Sequence, residues 1–257
     1  MSSVKLHFKS LGEGPSLLIL HGLFGSLDNW QTHAKILSNY FRVILVDARN
    51  HGHSPHTTDH NYELLAEDLL GLINDLQLDK VTLLGHSMGG KAVMRFAQLH
   101  PERVNKLIVV DMGVKAYPMH HDVIVNGLKS IDFDIINTRA SADVQLTKFI
   151  NDVGVRQFLM KNLYWIEPGK RLAWRMNINT LEREMSNILS ALPEEECSIE
   201  TLFLYGTESN YVLNDDFKNI ESIFKNVSFE SIQGAGHWVH AEKPQEFLDA
   251  VLRYLLV

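Results

Sequence analysis

The order of apolar and amphipathic stretches predicts an α/β fold, with a mostly parallel central sheet flanked by helices on both faces and a helical insert. Three observations carry this. Short apolar runs recur at 16–20, 41–46, 81–84 and 104–111, as in strands buried on both sides. Stretches of helical periodicity separate them, and that alternation implies parallel strands joined by crossover helices. Finally, the strand rhythm stops near residue 113 and resumes near residue 200.

Val4, Leu6 and Phe8 alternate with polar residues, which predicts a half-buried edge strand. Turn-forming residues at 12–15 break it. The first fully buried strand, 16–20, runs into His21-Gly22-Leu23-Phe24-Gly25. A helix is expected over 30–38, a second buried strand over 41–46, and a turn-rich loop over 47–55. Apolar positions 64, 65, 69, 72, 73 and 76 place a helix over 62–76. Strand 81–84 follows, then a helix that Pro101 ends, then strand 104–111. Sheets of this kind gather functional groups at the carboxyl ends of their strands. His21, Asp47, Ser87 and Asp111 all fall there.

Between 113 and 193 no buried strand is visible, and helices are expected near 120–129, 141–149, 153–162, 169–176 and 178–191. This predicts an all-helical lid over 113–196 on a core of 1–112 and 197–257. Its aromatic residues (Tyr117, Phe133, Phe149, Phe158, Tyr164, Trp165 and Trp174) are expected mostly to hold the lid together, with a few facing a cleft. Strands resume over 200–205 and 226–232 with a helix over 215–224 between them. A glycine-rich loop, Gly234-Ala-Gly-His-Trp238, precedes a closing helix over 244–256.

With 257 residues, the chain is long enough for one large domain with a sizeable core. A hydrophobic content of 45% and a charged content of 21% fit a folded globular chain. The formal net charge of −7, without a basic cluster, argues against nucleic acid or an anionic membrane as main partner. One cysteine, Cys197, excludes an intramolecular disulfide and a cysteine zinc site. No signal-peptide pattern opens the sequence and no apolar run approaches a membrane span. A cytoplasmic protein is expected. The sequence does not show the oligomeric state.

Ser87 sits in Gly85-His-Ser-Met-Gly89, between the buried strand 81–84 and a helix. That is the strand–turn–helix setting of a nucleophile elbow, in which a strained serine exposes its hydroxyl. Gly85, Gly89 and Gly90 remove side chains that would collide in so sharp a turn. The helix that follows directs its N-terminal dipole at any developing oxyanion.

His21-Gly22, Asp47-x-Arg49-x-x-Gly52-x-Ser54, Gly85-x-Ser87-x-Gly89 and Gly234-x-Gly236-His237 occur in this order along the chain. Taken together they resemble the α/β-hydrolase superfamily over essentially the whole length. More narrowly, His-Gly-Leu-Phe-Gly-Ser, Arg-Asn-His-Gly and Gly-Ala-Gly-His-Trp-Val-His-Ala-Glu-Lys-Pro resemble the bacterial YbfF-type esterases. That branch is related to a mitochondrial abhydrolase and is associated with acyl ester and acyl-CoA thioester hydrolysis. The resemblance implies that Ser87 is the nucleophile, that His237 is its base, and that the Leu23 and Met88 N–H groups form an oxyanion hole. It places Phe24 and Trp238 at the substrate pocket.

The acid departs from the commoner pattern. Most relatives carry it three residues after the glycine that here is Gly206, and this chain has Ser209 there. Serine lacks the charge that stabilises an imidazolium. Asp111, at the end of the strand beside the elbow strand, is the alternative position used by the YbfF-type branch and is the expected acid. Glu208 and then Asp215 follow it as candidates. Asp47, Arg49 and Ser54 are expected to brace the loops as an Asp–Arg network, and His240 to hydrogen-bond loop backbone.

The pairs His51/His53, His120/His121 and His237/His240 lack a carboxylate pattern such as His-Glu-x-x-His, so no metal is expected. No dinucleotide fingerprint is present, and no cofactor is expected. The expected activity is a serine esterase or thioesterase acting on a small-molecule acyl ester or thioester. A cofactor-free lyase, a carbon–carbon hydrolase or a small-molecule receptor retaining the triad are the alternatives, since one fold hosts several chemistries.

Overall fold

A computed structural model describes residues 3–119, 121–167, 169 and 171–256. In chain order the first half contains β1 (Phe8–Leu11), β2 (Ser16–Leu20), α1 (Gln31–Leu37), β3 (Arg42–Val46), α2 (Tyr62–Asp75), β4 (Val81–His86), α3 (Met88–Leu99) and β5 (Val104–Val110). An insert follows, made of α4 (Asp122–Lys129), α5 (Arg139–Leu146), α6 (Val153–Met160), β6 (Leu163–Glu167), β7 (Arg171–Trp174), α7 (Ile178–Arg183) and α8 (Met185–Ile188). The chain then returns through β8 (Thr201–Gly206), α9 (Phe217–Ile223), β9 (Val227–Ile232), α10 (Val239–Glu242) and α11 (Pro244–Leu255).

Seven strands form one sheet in the order β1-β3-β2-β4-β5-β8-β9. Only the β1–β3 pairing is antiparallel, and every other pairing in it is parallel. Because side chains alternate between faces along a strand, neighbouring residues serve opposite layers. Leu17, Ile19, Leu84 and Ile108 pack with Trp30, Phe247 and Val251. Leu18, Leu20, Leu83 and Leu107 pack with Leu65, Leu69, Val93 and Phe96 on the other side. Truncating one such leucine to alanine costs roughly 2–5 kcal/mol. This packing fixes the strand ends, and therefore the loops they carry.

Two elements differ from expectation. The edge strand begins at Phe8, opposite Val46, instead of running over 4–8. Side chains hold the earlier residues: the Val4 N–H donates to Asp68 and the His7 N–H to Ser54. The insert is also not all-helical. Where a helix was expected over 169–176, β7 pairs antiparallel with β6. Leu163 and Leu172 are buried, and the Trp174 indole donates to the Leu128 carbonyl. Leu172 and Trp174, two residues apart, pair with Trp165 and Leu163 of β6, which is the two-residue period of a strand. Among the described residues, no helix is long and apolar enough to cross a membrane.

Candidate active site

Ser87 links β4 to α3 with φ +54° and ψ −122°, a conformation costly for a non-glycine residue, by roughly 1–3 kcal/mol. Neighbouring backbone enforces it. The Ser87 N–H donates to the Val110 carbonyl at 3.1 Å. A Cβ on Gly85 would lie 2.2 Å from the Gly89 carbonyl oxygen, and one on Gly89 would lie 2.4 Å from that of Leu20. Both glycines are required for the turn to pack. Gly90 is less crowded, its nearest neighbour at 3.2 Å.

The loop after β9 brings His237 Nε2 to 3.0 Å from Ser87 Oγ, and its Nδ1 to 2.7 Å from Asp111 Oδ2. With Nδ1–H donating to the carboxylate, Nε2 accepts from the serine hydroxyl. The Glu242 carboxylate accepts from the N–H groups of Gly236 and Trp238, pinning this loop on both sides of the histidine. Asp111 follows β5 at φ +48° and is fully buried. It also accepts from the Gly206 N–H at 3.1 Å and the Ser209 hydroxyl at 2.5 Å. Burial pushes its carboxyl up to about 6, and those two donors oppose the rise.

On the other side of Ser87, the loop after β2 approaches closely. A Cβ on Gly22 would lie 3.1 Å from Ser87 Cβ. Leu23 follows at this approach, and Met88 opens α3, where first-turn N–H groups have no intrahelical acceptor. Two buried histidines brace the loop. His21 Nδ1–H donates to the Gly22 carbonyl and its Nε2 accepts from the Ala48 N–H. His51 Nδ1–H donates to the Arg49 carbonyl and its Nε2 accepts from the Phe24 N–H. Burial lowers both, His51 well below the ordinary imidazole range. Asn162, from the insert, donates to the Phe24 carbonyl at 2.6 Å.

A chamber of about 280 Å³ opens over Ser87 and His237, walled by Phe24, Ile124, Val155, Phe158, Leu159 and Trp238. A second cavity, of about 460 Å³, shares Val155, Phe158 and Trp238 with it and adds the polar residues Asn29, Gln157 and Lys161. The Phe158 and Trp238 rings meet at 6.0 Å.

Residues 15–150 match the family model for the alpha/beta hydrolase fold. A mouse (Mus musculus) sn-1-specific diacylglycerol lipase, ABHD11, is 40% identical over 250 residues, covering 94% of this chain and 81% of its own. Esterase YbfF of Escherichia coli is 37% identical over 240 residues, covering 93% and 92% respectively. The solved structure of a marine microorganism esterase superposes with a TM-score of 0.96 at 41% identity, covering 98% of this chain and all of that one. The chain belongs to the α/β-hydrolase family. It is a serine hydrolase.

The geometry of this hydrolase sorts the residues singled out from the sequence. Ser87, His237 and Asp111 come together, whereas the Glu208 and Asp215 side chains are exposed. Ser209 lacks a charge, yet its hydroxyl is bound to Asp111. The signal was its spacing from Gly206, the place where relatives carry the acid. Asp47 and Arg49 do not pair with each other. Arg49 pairs with buried Asp68, at 2.6 Å, while Asp47 binds the His7 ring and the Leu27 and His53 N–H groups. The His240 ring stacks on Trp30 at 4.2 Å, and it is the His240 carbonyl that accepts, from His33. Of the seven insert aromatics, Phe158 lines the Ser87 chamber and Tyr117 a small adjoining pocket that Ser87 and Met88 also border. Phe133 packs on Trp174, and Tyr164 on the Arg175 guanidinium. His120 lies outside the described residues.

Proposed function

We propose that this hydrolase cleaves carboxylic acyl esters through a Ser87 acyl-enzyme, and acyl thioesters by the same route. The observation that supports it most is the unbroken hydrogen-bond line Ser87 Oγ–His237 Nε2 and His237 Nδ1–Asp111 Oδ2 beneath an apolar chamber. Ser87 Oγ attacks the acyl carbonyl carbon as its proton moves to His237 Nε2. Asp111 holds the imidazole in the tautomer that accepts this proton and offsets the positive charge that forms. The Leu23 and Met88 N–H groups stabilise the tetrahedral oxyanion. The C–O or C–S bond breaks, the leaving group takes the proton from Nε2, and a water activated by His237 frees the acid. In this reading Phe24 and Trp238 contact the acyl portion and the insert over 113–196 is the lid that excludes bulk water.

The test is initial rates on acyl esters and acyl-CoA thioesters of graded chain length, with diacylglycerol added because the mouse relative carries that name. Wild type is run beside Ser87→Ala and Asp111→Asn. Turnover by wild type that collapses in both variants is expected. Full activity in Ser87→Ala, or an inert wild type across the panel, would overturn the proposal.

A further inference from the structure

Tyr211 lies in the loop after β8 with its ring stacked on the His237 imidazole, centroids 3.8 Å apart and planes 17° from parallel. Its backbone is held at both ends. The Tyr211 N–H donates to Ser209 Oγ at 3.2 Å, and its carbonyl accepts from the Tyr117 hydroxyl at 2.8 Å. Tyr117 in turn accepts from the Gly113 N–H at 2.7 Å, two residues beyond Asp111. The stack is therefore tied to the same strand end that carries the acid.

We propose that Tyr211 is a positioning residue for His237, whose ring face holds the imidazole toward Ser87 and stabilises the imidazolium formed when the serine proton reaches Nε2. This rests on the acyl-enzyme reading above. Asp111 meets the imidazole at its N–H edge, and an aromatic face meets the flat of the ring, where a cation is attracted by the π electrons. The two contacts use different parts of one ring and act together.

Other described groups also face His237, and His121 at the start of α4 borders the same chamber. Asp111 comes from the end of β5, and Ser87 and His86 from the end of β4. The His86 ring lies 4.8 Å away, but burial holds it at about 3 and so uncharged. His240 of α10 sits behind His86 and is likewise held well below the ordinary range by burial. Glu242 is committed to loop N–H groups. Trp238 meets the imidazole edge-on at 5.6 Å, and Lys161 lines the cavity on which Trp238 also borders. Among the described residues, the Tyr211 ring stacks face to face on His237.

The experiment follows kcat against pH for wild type, Tyr211→Phe and Tyr211→Leu on a short-chain ester, with Ser87→Ala as blank. The His237 imidazole is titrated by NMR in the same proteins. Tyr211→Leu is expected to lower the acid-limb and imidazole pKa by about 0.5 to 1 unit, and plateau kcat by roughly 3- to 10-fold. Tyr211→Phe keeps the wild-type pKa, because the ring face remains. An unchanged imidazole pKa in Tyr211→Leu overturns the proposal and reduces the contact to packing. Should Tyr211→Leu fail to fold, fluorinated phenylalanines at position 211 replace it. A stepwise fall in pKa with fluorine number supports the role, and a flat series overturns it. Turnover that survives in Ser87→Ala defeats the acyl-enzyme reading instead, and the NMR titration still reports on the stack.

Discussion

Ser209 Oγ donates to Asp111 Oδ2, the same carboxylate oxygen that receives His237 Nδ1. A hydroxyl at position 209 thus serves the carboxylate that follows β5. Ser209→Ala removes a donor that favours the charged form of Asp111. Hydrogen bonds to charged groups contribute about 1.5–3 kcal/mol, so kcat is expected to fall roughly tenfold or more. The acid limb of the pH–rate profile should also move to higher pH. A rate profile unchanged in both height and position would show that the hydroxyl does not act on the carboxylate.

Asp111→Asn separates catalysis from stability. An amide at this position turns the His237 tautomer round, placing an N–H toward Ser87, and kcat is expected to fall by about 10⁴-fold. Stability should change in the opposite sense. Burial raises the Asp111 carboxyl from 3.8 to about 6, so between those values the folded state binds the proton more tightly than the unfolded one. Stability is therefore lost as pH rises through that window and stays lower above it. Asparagine has no such loss. Asp111→Asn should melt several degrees above wild type at pH 8, by a few kcal/mol of stability, with the gap closing near pH 4. Thermal melts at the two pH values decide it.

The inner strands of the sheet were legible because they are buried on both faces and spell out nearly unbroken apolar runs, unlike the edge strands β1 and β9. The elbow was legible because so few residues fit Gly85-x-Ser87-x-Gly89 between a strand and a helix. The insert was harder. Residues over 169–176 carry too few apolar positions to separate a helical period from a strand period, and the hairpin is settled by the cross-strand burial of Leu163 and Leu172. Long-range polar partners were not legible. Arg49 meets Asp68, and Ser209 meets Asp111 across 98 positions of sequence, since side-chain direction at a strand end is set by packing and leaves no local signal. The same holds for Tyr211, whose stack on His237 depends on two loops meeting.

Phe158, on α6, stands between the Ser87 chamber and the neighbouring cavity and contributes to the walls of both. Removing its ring widens the Ser87 chamber of about 280 Å³ on the side that faces the neighbouring cavity of about 460 Å³. Phe158→Ala is therefore expected to shift the preferred acyl chain toward longer substrates. The rate on the shortest esters should fall as apolar contact is lost, by about 1–3 kcal/mol in kcat/KM. A chain-length profile of unchanged shape would show that the acyl group does not reach this wall.

Lys91, fully buried on α3, donates through Nζ to the carbonyls of Lys115 and Ser190, one at each end of the insert. The Tyr117 ring lies 4.9 Å from the ammonium. Two backbone bonds join the same segments, Tyr117 N–H to the Leu189 carbonyl and Leu192 N–H to the Val114 carbonyl. Lys91→Met leaves two carbonyls without their donor, at about 1–3 kcal/mol each, and loosens both ends of the insert together. Amide exchange at Tyr117 and Leu192 should accelerate by roughly tenfold or more, while amides of β4 and β5 keep their protection. Burial also lowers the Lys91 ammonium to about 7, so between about 7 and its ordinary 10.5 the unfolded chain binds the extra proton. Wild-type stability on this account rises with pH across that window, and the methionine variant should lack the rise. Equal acceleration in β4 and β5 would mean that Lys91 supports the core as a whole and not the hinges of the insert.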